Sequence, residues 1–172
     1  MIHNLKNKMS IKSLRSTIED MGYAFFTKGD YNVNIIGIRN PNLESNSFDD
    51  TMICAYKVSD QWVFKEWQIT TDAGKYYALC QRNGKVEVYR DDTKDQILDF
   101  DDATKEWGMF GINIHRSNPY NESKRVDKWS AGCQVFKKVD DFNEFMTICN
   151  KAREEWGNSF TYTLIKEEDL KL

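Results

Sequence analysis

Histidine is nearly absent from this sequence: His3 and His115 are the only two in 172 residues. Zinc sites draw three or four ligands from Cys, His and carboxylate, and with His3 at an end expected to fray, metal chemistry is disfavoured and no cofactor is expected. Long apolar runs are missing too. The longest, such as Ile35 to Ile38, fall far below the roughly 20 residues that span a bilayer, so no membrane insertion is expected. No strongly basic stretch breaks the interspersed charges, whose net is −3, and a nucleic-acid partner is not expected. The first residues, Met1-Ile2-His3-Asn4-Leu5-Lys6, lack the apolar core of a secretory signal, which predicts a cytoplasmic chain. Repeats, low-complexity linkers and Cys-x-x-Cys pairs are also lacking, and Cys54, Cys80, Cys133 and Cys149 are expected to stay reduced.

What is present is enough apolar mass for one domain, including ten Phe, eight Tyr and five Trp. The expected organisation is a flexible 1–9, a single domain over 10–166 and a charged tail at 167–172. Residues 10 to 22 read as a helix with Ser10 as N-cap, Ile11, Leu14, Ile18 and Met21 on one face, and Gly22 as a left-handed cap. Tyr31 to Ile38 is β-rich and is stopped by Asn40-Pro41-Asn42. Thr51 to Val58 and Trp62 to Ile69 flank Ser59-Asp60-Gln61 as a hairpin, and Tyr76 to Cys80 and Val86 to Tyr89 flank Asn83-Gly84 as another. The acidic stretch from Asp91 to Asp102 lacks the glycine and glutamate of an EF-hand and reads as a solvated loop. A second helix is expected after a cap at Asp140 or Asp141, burying Phe142, Phe145, Met146, Cys149 and Trp156, followed by a last strand from Phe160 to Ile165. The fold class is mixed α+β, predominantly β.

The chemistry centres on Cys133 and His115. A cysteine attacks as its thiolate and needs a base or a positive dipole, and His115 ends the apolar run Gly111 to His115 at the start of a long polar loop, Arg116 to Lys128. Cys133 alone follows small residues, in Trp129-Ser130-Ala131-Gly132-Cys133, where glycine permits close backbone approach and amides can face an oxyanion. Fourteen residues separate His115 from Ser130, enough for a loop to leave one strand and return beside it. On residues alone, a structural cysteine and a histidine satisfying a hydrogen bond explain the same pattern.

Ile112-Asn113-Ile114-His115, followed after that interval by Ser130-Ala131-Gly132-Cys133, resembles the His, long loop, Ser-x-Gly-Cys signature of the L,D-transpeptidase catalytic domain. The likeness covers directly about residues 111 to 136. More distantly, the chain from Tyr31 to Phe136 resembles lysis-associated or hypothetical proteins of bacteriophages and their hosts. The resemblance implies an L,D-transpeptidase-like β-sheet domain with flanking helices. It also implies a cysteine-dependent hydrolase or transpeptidase of peptidoglycan stem peptides or crosslinks, working through an acyl-enzyme as a phage-type lysin would. Cys133 is then the nucleophile and His115 the base, while Gly132 and Ser130 shape the oxyanion turn. Arg116, Trp129 and Arg39 are candidates for substrate binding. Two positions depart from the family pattern: Arg116 replaces a glycine and Val135 replaces an arginine. Thr70-Thr71-Asp72-Ala73-Gly74 also runs almost directly into Tyr76, where the phage-type chains carry a longer excursion. The alternative is an inactive virion or interaction protein that uses the same fold as a scaffold.

Overall fold

The computed structural model describes residues 9–42, 46–70, 79–81, 84–88, 105–126 and 133–171. These form two helices and nine strands in a mixed, predominantly β arrangement. Two compact units are built from interleaved segments of the chain.

The first unit takes residues 1–41, 49–68 and 140–172. Its opening helix, α1 (Ile11–Asp20), starts where Ser10 and Ser13 exchange backbone and side-chain hydrogen bonds at 3.0 Å, a reciprocal cap. It stops at Gly22, whose φ of +81° suits a residue without Cβ. Leu14 and Ile18 are buried as expected, whereas Met21 is 41% exposed because it lies in the cap. β1 (Asn34–Arg39) pairs antiparallel with β2 (Asp50–Val58). β2 turns into β3 (Gln61–Thr70) through Ser59 and Asp60, both at positive φ, as the twist-matched two-residue hairpin turn requires.

α2 (Val139–Trp156) carries Asp140 and Asp141 in its first turn, where carboxylates suit the helix dipole, and buries Phe142, Phe145, Met146 and Cys149. Trp156 departs from the expected apolar face. It is 51% exposed and donates its indole N–H to the Asp30 carbonyl. The last strand, β9 (Tyr162–Lys166), runs parallel to β1. Met9, Leu14, Ile18, Phe25, Ile36, Ile38, Ile53, Ala55, Ile165 and Leu170 make the core. At the two ends of the described residues Met9 is buried, Leu170 is 9% exposed, Lys171 N–H donates to the Thr17 hydroxyl and its ammonium pairs with Asp20.

The second unit takes residues 42–48 and 69–139. It contains β4 (Leu79–Cys80), β5 (Val86–Val88), β6 (Glu106–Gly108), β7 (Asn113–Arg116) and β8 (Gln134–Phe136). Asn83 lies outside the described residues, and among those described the two expected hairpin strands do not pair with each other. β4 pairs with β7, and β5 pairs with β6, in separate sheets. The Gln81 side chain links the two pairings, donating to the Gly84 and Gly108 carbonyls and accepting from Phe110 N–H. β8 lies parallel to β7 and antiparallel to the last two residues of β3. Residues 71–78, the acidic stretch from Asp91 to Asp102 and residues 127–132 lie outside the described residues.

Candidate functional site: a thiol and an imidazole on one sheet face

β7 and β8 pair in parallel, with Ile114 opposite Gln134, His115 opposite Val135 and Arg116 opposite Phe136. Strand side chains alternate between faces, so Asn113, His115 and Val135 share one face. Cys133 stands one residue before β8, packs with Val135 in one apolar cluster, and its Sγ accepts from the Asn113 backbone N–H at 3.1 Å. His115 thus lies two residues along β7 from the amide that binds the Cys133 thiol.

The described part of the loop that follows β7 is tied down. Ser117 N–H donates to the Phe136 carbonyl at 3.0 Å, and Ser117 Oγ and Ser123 N–H both donate to the Lys137 carbonyl at 3.1 Å. The chain thus leaves β7 and is tied back to the end of β8, which is how a long sequence interval becomes a short spatial one. Phe48, Val126 and Val135 form a small apolar cluster with Cys133, which is 1% exposed.

His115 is fully buried, and its Nδ1 lies 2.7 Å from the Arg116 carbonyl. A carbonyl can only accept, so Nδ1 carries the proton and Nε2 presents a bare lone pair. Nε2 has no hydrogen-bond partner. Burial depresses the imidazole's proton affinity, the hydrogen bond to Arg116 partly restores it, and the nearby guanidinium lowers it again. The ring is consequently neutral near neutral pH, and its unpartnered lone pair can take a proton. No hydrogen bond joins Nε2 to the thiol in this geometry. Catalytic contacts commonly close only when substrate is bound.

The other proposed residues are distributed differently. Arg116 follows His115, so alternation places it on the opposite face, beside Phe136. Arg39 ends β1 in the first unit, opposite Lys166 and within electrostatic reach of the Tyr162 hydroxyl. Trp129, Ser130 and Gly132 lie outside the described residues. The Arg116 carbonyl that holds His115 is a backbone group, which a sequence cannot display. β4 places Cys80 directly opposite Asn113. Cys54 and Cys149 belong to the core of the first unit, where burial raises both thiols, Cys149 to about 12.

Among the described residues no group of three His, Cys, Asp or Glu side chains is placed to hold a metal ion, and no helix is long and apolar enough to cross a membrane. Comparisons with protein-family models, with curated proteins and with solved structures return no match.

Proposed function

We propose that the chain is a cysteine-dependent acyl-transfer enzyme with an L,D-transpeptidase-like site, acting on peptidoglycan stem peptides or crosslinks, with hydrolysis favoured as in a phage-type lysin. The observation that carries this reading is that β7 bears His115, with its Nε2 unpartnered, and two residues earlier the Asn113 N–H that donates to the Cys133 thiol. The stem-peptide substrate comes from the sequence signature around His115 and Cys133.

In this mechanism Nε2 of His115 takes the Cys133 proton and the sulfur attacks the substrate carbonyl carbon. The leaving amine then departs with the proton returned from His115, and a thioester remains. Water or an acceptor amine, activated by the same nitrogen, attacks the thioester and regenerates the thiol. The Asn113 N–H aimed at Sγ stabilises negative charge on the sulfur at the start of the cycle. The Arg116 carbonyl holds the ring in the tautomer the first step needs and supports the imidazolium that forms.

One observation favours the second reading, a scaffold without catalysis: Cys133 packs among Phe48, Val126 and Val135 at 1% exposure, as structural cysteines do. Mass spectrometry of defined peptidoglycan fragments separates the two. The enzyme reading expects cleaved or exchanged stem peptides with the wild-type chain and none with Cys133→Ala or His115→Gln. Unchanged fragments across diverse chemotypes favour the scaffold.

A further inference from the structure

A nucleophile has to be reached, and the Cys133 thiol is covered. It is 1% exposed and packs beneath Phe48 and Val126, themselves almost fully buried. The two covers are held differently. Val126 ends the described part of the loop after β7, and that loop is fastened to the end of β8 by the Ser117 and Ser123 hydrogen bonds to the Lys137 carbonyl and by the ion pairs of Glu122 with Lys137 and Lys138. Phe48 arrives from elsewhere in the chain. It lies in the connection between β1 and β2, strands of the first unit, yet residues 42–48 of that connection belong to the second unit. A hairpin closing on the pair Ile38 and Thr51 needs only a few linking residues, so this connection is an excursion rather than a turn. Its ends are clamped where Asn40 N–H donates to the Asp50 carboxylate at 2.8 Å. A loop held at its neck can open locally without disturbing the strands that carry it.

We propose that Phe48 is the gate of the Cys133 site: its ring closes over the thiol in the structure described above and swings out to admit substrate, while Val126 and Val135 stay in place. The proposal rests on Cys133 being the nucleophile of the proposed function. Swinging out exposes a phenylalanine ring to water, which disfavours the open state roughly 10- to 100-fold. The thiol is therefore shielded from soluble electrophiles for most of the time. A substrate whose apolar part fills the seat beside Val126 and Val135 offsets that penalty, so opening is coupled to binding. The burial of Cys133 is then the closed state of a gated thiol, and a narrow apolar cluster of four residues, one of them carried on an excursion from a distant hairpin, is what holds it closed.

The test is alkylation of the full chain by iodoacetamide near neutral pH, with each cysteine mapped by mass spectrometry over time. Cys54 and Cys149, buried in the first unit, serve as clocks for larger unfolding. In the wild type Cys133 is expected to label ahead of both, at a rate that sub-denaturing urea barely changes, since a swinging ring exposes little surface whereas unfolding of a unit exposes much. Phe48→Ala is expected to raise the Cys133 rate about tenfold or more and to leave Cys54 and Cys149 unchanged, with a clearly smaller gain from Val126→Ala. A wild-type Cys133 rate equal to those of the two clocks, or one that climbs steeply with urea, overturns the gate. So does a Cys133 rate that Phe48→Ala leaves unchanged, or that Val126→Ala raises as much. Should Phe48→Ala not fold, Phe48→Val decides: a gain of about threefold or more at Cys133 supports the gate, and no gain overturns it. The labelling uses no peptidoglycan. A Phe48-dependent thiol in a protein that turns over no stem peptide keeps the gate and removes the proposed substrate, whereas turnover by a protein whose three buried thiols label together keeps the enzyme and removes the gate.

Discussion

His115 combines two features that oppose each other energetically, since it is wholly buried yet leaves Nε2 without a partner. An unmatched buried polar atom costs about 1–3 kcal/mol, and a charged ring in the same place would cost more, which is why burial depresses its proton affinity. The sign of the pH effect follows from linkage. The unfolded chain, with an ordinary histidine near 6.5, binds the proton more readily than the folded one, so stability is fully present above that pH and is lost as the pH falls below it. Urea titrations between pH 8 and 5 are expected to show stability declining below about pH 6.5. The decline should flatten in a folded His115→Gln, and an unchanged slope in that variant contradicts the assignment. Tyr162 carries a similar cost in the first unit, with a buried hydroxyl lacking a partner and held strongly against ionisation by burial. That hydroxyl occupies the space a Cβ would need at Gly37. Tyr162→Phe is therefore expected to be neutral or to stabilise by up to about 1–3 kcal/mol, while Gly37→Ala is expected to destabilise by about 1–3 kcal/mol through overpacking. Denaturant midpoints of the two variants moving in the same direction would contradict this packing.

At the scale of elements, legibility followed the range of the interaction that decides each structure. α1 was readable because its cap is local, with Ser10 and Ser13 satisfying each other's orphan groups. Ser10→Ala should accordingly cost about 1 kcal/mol, measurable as a lowered urea midpoint, and a midpoint unchanged within error would show that the cap contributes nothing. The β2–β3 hairpin was readable for the same reason, as its turn is two residues long. The two strands expected to flank Asn83-Gly84 do not pair with each other because the pairing of β4 with β7 joins residues more than thirty positions apart, and no turn dipeptide encodes that choice. Strand β9 was visible in its alternation, but its parallel alignment with β1 depends on long-range topology. The same limit governed the site. His115 and Cys133 could be associated because one loop connects their strands, whereas the pairing of Cys80 with Asn113 was hidden by the mistaken hairpin, which assigned its strand to the wrong neighbour.

Across the whole chain, two compact units are assembled from interleaved segments, while the sequence gives the expectation of one domain over 10–166. Interleaving of this kind leaves no compositional boundary, because each unit has its own apolar cluster. The candidate chemistry lies in the second unit, where β7 carries His115 and Cys133 immediately precedes β8. The proposed function requires Cys133 to become covalently acylated. It is tested most directly by mixing the protein with a defined stem peptide, quenching in acid within seconds, and mapping the mass of each cysteine-containing peptide. A stem-peptide mass as a thioester on Cys133, absent from His115→Gln, is the expected result; peptide turnover that continues undiminished in Cys133→Ala, or an acyl adduct carried by Cys80 instead, contradicts it.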